Sequence, residues 1–203
     1  LTAWRSGPAT TAQTRIGNFE TVTEGKPADD SVGTMAFWRV GIFALIFAAL
    51  QWGWSVQQDS ALFRLWVEDL NVRAAVVLIA AVQPESGAAA AGPRVQAPGG
   101  GINVLQGCDG AELLWLMTAA FAVAPLAWRW RLGGWLAGLL LVWLLNVTRI
   151  TALFFAWRSD PRWFDWLHNY IGPIVLVALL ALYFQWIMHR APVPEPEPDI
   201  GYR

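Results

Sequence analysis

Predominantly apolar runs of bilayer length recur along this chain, separated by short polar segments. The first covers residues 37–54, and Gly41 to Leu50 carry no charge at all. A helix needs about 20 residues to cross the hydrocarbon core, so this run predicts a membrane span. A signal peptide is the rival reading, but no small-x-small cleavage pattern follows cleanly. Three further runs predict spans over 111–128, 132–155 and 168–188. Residues 56–83 have another pattern: Asp59, Arg64, Glu68, Asp69, Asn71 and Arg73 interrupt Leu62, Phe63, Leu65, Trp66, Val67 and Leu70. The apolar run that closes this segment, 74–82, is too short to span. The pattern predicts an amphipathic or partly inserted helix on the membrane surface. Residues 84–107 read as a loop, in which 94–97 and 102–105 flank Pro98 and Gly99–Gly101 as the arms of a short hairpin. Gly134 and Gly138 form a G-x-x-x-G pair, which permits close helix contact.

The pattern predicts an all-α integral membrane bundle, with about four transmembrane helices, one surface helix and a short outer-face hairpin. Residues 1–34 are polar and rich in turn formers, and read as a disordered tail. Residues 35–189 form the membrane-embedded domain, and Pro192–Pro198 opens an extended, Pro/Glu-rich tail within 190–203. The first methionine, Met35, directly precedes the first apolar run, which leaves two readings of 1–34 open: a cytoplasmic extension or an over-extended reading frame.

Composition agrees with a bilayer. Of 203 residues, 56% are hydrophobic and only 14% charged, against about 25% charged in soluble proteins. Fourteen tryptophans stand beside a single lysine, Lys26. A disordered chain, a disulfide scaffold and a nucleic-acid binder are excluded on this balance, and the net charge of −1 draws no polyanion. The lipid bilayer is the expected partner. Cys108 is the sole cysteine, and His168 and His189 are the only histidines. Motifs that need several His or Cys ligands, such as H-E-x-x-H, are therefore absent, and neither a metal nor a cofactor is expected. A haem or quinone held by both histidines is excluded too. They lie at opposite ends of the last predicted span, roughly 30 Å apart by helical rise.

Positive residues in short loops favour the cytoplasm. Arg129 and Arg131 sit in the tightest connection, and His189 with Arg190 follows the last span. Placing both sites inside puts Cys108, Arg149 and His168 together at the outer leaflet. Arg158 and Arg162 in the outer loop count against this orientation. If 56–83 lies on the outer surface rather than crossing, the amino-terminal side is cytoplasmic, next to Arg39.

Cysteine, arginine and histidine at one depth suggest thiol chemistry. A thiolate is the nucleophile and needs a lowered pKa; Cys108 precedes a helix start, where the dipole favours an anion. His168 could take the thiol proton and return it to a leaving amine. Arg149 could stabilise the oxyanion or the thiolate. Asp109 and Glu112 oppose thiolate formation, unless they serve only as first-turn acids. Each residue has a plainer reading: Cys108 as packing, His168 as an interfacial residue, Arg149 as a snorkelling charge. Charge at membrane depth is nonetheless costly and mostly functional. Asn146 shares a helical face with Arg149 and reads either as its orienter or as a link between helices. Trp157, Trp163, Phe164, Trp166 and Tyr170 read as an interfacial belt.

Gly107-Cys-Asp-Gly110, Asn146-Val-Thr-Arg-Ile150 and the isolated His168 before a final apolar span resemble the exosortase/archaeosortase family. The resemblance covers roughly 35–188. The short chain and the hairpin ahead of Cys108 look most like the compact exosortase H type. Asp109 departs from a position where asparagine is frequent. The resemblance implies an integral membrane cysteine transpeptidase or protease in a prokaryotic inner membrane, with its active site facing outward. Its substrates would be exported proteins ending in a short motif, a transmembrane helix and a basic tail. Carried over by position, Cys108 is the nucleophile, Arg149 its partner and His168 the acid/base. A non-enzymatic membrane scaffold or small transporter subunit is the competing expectation.

Overall fold

The structure, a computed structural model, describes residues 30–192. The tails expected over 1–34 and 190–203 lie outside these residues apart from 30–34 and 190–192.

Helix α1 spans Asp30–Ser55. Phe37, Trp38, Leu45 and Trp52 are widely exposed on it, whereas Trp54 is buried. An apolar surface of this extent suits lipid rather than water. Helix α2 covers residues 61–82. The Ser60 hydroxyl caps it by accepting the Phe63 N–H at 3.1 Å. Its middle, Arg64–Val72, is a π-helix between α-helical ends. Val67, Asn71, Val72, Ala75 and Ile79 are buried along one side of α2. Arg73 and Asp69 pair at 3.1 Å on the exposed side. This is the amphipathic helix the charge pattern predicts, and it is not among the helices apolar enough to cross a membrane.

The outer loop folds into a three-stranded antiparallel meander, β1 Ala89–Ala91, β2 Arg94–Ala97 and β3 Gly100–Asn103, in that order. Val95 pairs with Ile102, and both are buried toward the helices. The hairpin differs from expectation in register. Its second arm starts two residues early, because Ala97 pairs with Gly100 and Pro98-Gly99 makes the turn, Gly99 at φ +92°. Proline followed by a positive-φ glycine is the type II turn signature. The unforeseen strand β1 is three alanines, which carry little strand preference.

Helix α3, Ala111–Val123, is shorter than the predicted span to 128. Pro125 lacks an N–H and biases the residue before it toward extended backbone. Arg131 takes up the carbonyls freed there, donating from Nη2 to Ala124 at 2.8 Å and to Leu126 at 3.4 Å. Helix α4, Trp128–Ser159, and helix α5, Pro161–Arg190, are both long and apolar enough to cross a membrane, as is Phe37–Ser55 of α1. Among the described residues, three long spans and the short apolar α3 thus make the bundle. Asp160 separates α4 from α5 and caps the latter by accepting the Arg162 N–H at 2.9 Å.

Helix α4 is the central element. An added Cβ at Gly134 would stand 2.7 Å from the Phe121 ring, and one at Gly138 would collide with Met117. The G-x-x-x-G pair therefore does bring helices together, and Tyr183 Oη donates to the Gly134 carbonyl at 2.6 Å. Gly138→Leu should destabilise the bundle by about 1–3 kcal/mol through overpacking. A lower thermal midpoint of the detergent-extracted protein would show this; an unchanged midpoint would contradict it.

Candidate active site

Cys108 lies in the loop between β3 and α3, flanked by Gly107 at φ +84° and Gly110 at φ +76°. Backbone of this hand favours glycine. Gly110 is fixed by contact as well, since a Cβ there would stand 2.7 Å from Asn146 Cγ. Asn146 on α4 thus lies directly against the loop. Its Nδ2 donates to Asn71 Oδ1 at 2.9 Å, and Asn71 Nδ2 donates to the Trp66 carbonyl at 2.7 Å. Two indole N–H groups hold Asp109: Trp66 Nε1 donates to its carbonyl at 2.9 Å, and Trp54 Nε1 to Oδ2 at 2.8 Å. Asp109, Asn71 and Asn146 are all buried. Hydrogen bonds from Trp54 and Trp66 therefore anchor the cysteine loop to α1 and α2, and close contact with Asn146 sets it against α4, although Asn146 Oδ1 is buried with no hydrogen-bond partner among the described residues.

His168 sits in a π-turn, Leu167–Ile171, inside α5. It is not at the start of a helix, as the apolar run suggests, but about two turns in. The Phe164 ring stacks on its imidazole, 5.4 Å between centroids and 5° between planes. Cys108 Sγ lies 3.0 Å from His168 Nδ1 and 3.8 Å from Nε2. Arg149 spans the two segments. Its Nη1 donates to the Gly107 carbonyl at 3.3 Å and its Nη2 to the His168 carbonyl at 3.4 Å. Its Nε is buried without a hydrogen-bond partner among the described residues. A Cβ on Gly172 would come within 3.2 Å of that Nε, so the glycine leaves the guanidinium its room. The three residues singled out in the sequence thus meet at one place.

Burial pushes the Cys108 thiol above its ordinary value. The Arg149 charge works against this, and Asp109 and Glu112 add to it. Among the described residues no N–H of the helix start donates to the sulfur, whose polar neighbour is His168. The Ala111 N–H donates instead to Asp109 Oδ1 at 3.2 Å. The 3.0 Å approach of Sγ to Nδ1 is short enough for a proton to pass between thiol and imidazole. The Asp109 carboxyl is itself held above its ordinary value by burial, partly offset by its bonds from Trp54 and Ala111. Removing the Asp109 charge should ease thiol ionisation. In Asp109→Asn the midpoint of the pH profile for Cys108 alkylation should fall below the wild-type midpoint. A midpoint that stays or rises would contradict this sign.

The sequence profile described as transmembrane exosortase matches residues 31–185. The chain belongs to the transmembrane exosortase family. Neither a curated protein nor a solved structure matches it. Membership makes this exosortase a membrane protein of transpeptidase-like function. Some residues that hold the Cys108 loop were visible in the sequence of this exosortase and others were not. Asn146 bonds Asn71 rather than Arg149, so its role is to join helices and support the loop. Asn71 carried a faint signal, a polar residue beside Val67 and Val72 on the buried side of α2. Trp54 and Trp66 carried none among fourteen tryptophans. Of the aromatic belt, Trp163, Trp166 and Tyr170 are exposed as expected, whereas Phe164 covers His168 and Trp157 packs on Phe154 and under Gly100.

Proposed function

We propose that this exosortase is a cysteine transpeptidase that cleaves the C-terminal sorting signal of exported proteins at the outer face of the cytoplasmic membrane. The 3.0 Å approach of Cys108 Sγ to His168 Nδ1 is the observation that carries the reading. In the first half-reaction the thiol proton passes to Nδ1 while Sγ bonds to the scissile carbonyl carbon. The Arg149 charge stabilises the oxyanion. Collapse breaks the C–N bond, the imidazolium returns its proton to the leaving amine, and a thioester remains. In the second, an acceptor amine attacks the thioester, its proton moves to His168, and Sγ leaves and is reprotonated. Atoms and charge balance over the cycle without a further reagent.

The burial of Cys108, 7% exposed, is what favours the rival scaffold reading. Processing of an exported reporter separates the two. With a reporter ending in motif, helix and basic tail, co-expression should give a shortened product, and the same reporter without its tail should stay intact. A product that forms equally without the tail would overturn the sorting-signal reading.

A further inference from the structure

The three strands above Cys108 form an open sheet, and their register shows which backbone groups are spare. Val104 N–H donates to the Pro93 carbonyl at 2.8 Å, and these residues are opposite in the register that pairs Arg94 with Asn103. Hydrogen-bonded and non-hydrogen-bonded pairs alternate in an antiparallel ladder. Val95–Ile102 and Ala97–Gly100 are therefore bonded pairs, and Arg94–Asn103 and Gln96–Gly101 are not. The N–H and C=O groups of Gly101 and Asn103 consequently point away from β2, off the free edge of β3. On the other edge the corresponding residue is Ala90, since Ala89–Gln96 and Ala91–Arg94 flank it.

The two edges differ in their surroundings. Strand β1 packs against the C-terminal half of α2, whereas β3 touches β2 and α4. The α4 contact is on the core face, where Trp157 lies under Gly100. Asn103 is exposed. Five residues after Asn103 the chain reaches Cys108, so the open edge leads directly into the thiol loop. An edge of unpaired groups is a template for another strand, and extended peptides are recognised in this way by strand addition.

We propose that the free edge of β3 binds the extended segment of the substrate that precedes its membrane helix, as a fourth strand, and so presents the scissile bond to Cys108. This rests on the peptide-cleaving function proposed above. Gly101 and Asn103 supply main-chain donors and acceptors, which hold a backbone of any sequence in an extended form.

Proline tests the edge, because it removes an N–H and is tolerated where that N–H faces away from the ladder. Asn103→Pro should slow processing of the tailed reporter about tenfold, the loss of one buried hydrogen bond. Ala90→Pro, the same change on the other edge, should leave it at the wild-type rate. Cys108 alkylation by a small maleimide should match wild type in both. A photo-crosslinking benzoylphenylalanine at 103, in the Cys108→Ala background, should capture the reporter, and one at 90 should not. Wild-type processing by Asn103→Pro overturns the proposal, as does equal capture from 90 and 103. If Asn103→Pro also loses alkylation, capture alone decides. A wild type that leaves the reporter whole, while 103 still captures it, refutes the cleavage function and keeps the edge.

Discussion

Cys108→Ala should reduce processing of a tailed substrate by about 1,000-fold or more, the scale on which losing a nucleophile shows in other hydrolases. The chain should still accumulate in the membrane. Alanine removes only the sulfur from a small buried site, at a cost of roughly 1 kcal/mol for the lost contacts. The loop stays held by Asp109, Gly110 and the indoles of Trp54 and Trp66. Cys108→Ser should be inactive too. It keeps the shape and the hydrogen bond to His168, but an alcohol is a far weaker acid than even a buried thiol, and the described site offers no extra base to activate it. Substrate size on a gel, normalised to the level of the membrane protein, reads both variants. Processing near the wild-type rate in Cys108→Ala would return the cysteine to a packing role and bring the scaffold reading forward.

Arg149→Ala should lower processing by about 100–1,000-fold, the range for removing an oxyanion donor. Arg149→Lys should recover little of this. The guanidinium acts at two points, Nη1 on the Gly107 carbonyl and Nη2 on the His168 carbonyl. It therefore ties the thiol segment to the imidazole segment as well as bringing charge. An ammonium is a point charge that cannot hold both carbonyls in the same fork. Lysine restoring the full rate would show that charge alone matters and would contradict the tie. Lysine and alanine failing alike, with both variants accumulating in the membrane at the wild-type level, would support it.

Much of the architecture could be read from the sequence because a bilayer imposes coarse, long patterns. Long apolar runs marked α1, α4 and α5, and the mixed run of charged and apolar residues marked α2. Local chemistry was less visible. Pro125 is one residue in an apolar stretch, yet it ends α3 at Val123 and leaves carbonyls for Arg131. β1 is three alanines, held by pairing with β2 rather than by any preference of their own. Cys108, Arg149 and His168 stood out for their rarity or their cost in a membrane. Apart from Asn146, their supports did not. Asn71 reaches Asn146 across 75 positions of sequence, and Trp54 reaches Asp109 across 55. Such pairings exist only once the helices pack. The thiol illustrates the same limit. Its position before a helix start suggested an easily formed thiolate, whereas folding buries it and gives the helix N–H to Asp109.

The proposed transpeptidation requires that Cys108 become covalently joined to the substrate. The direct measurement is the intact mass of the acid-quenched membrane protein after incubation with a tailed substrate and little acceptor amine. The expected result is an acyl adduct that maps to Cys108 and is released by hydroxylamine, as a thioester must be. Accumulation of cleaved product while the Cys108 thiol stays unmodified, or an adduct on another residue, would contradict it.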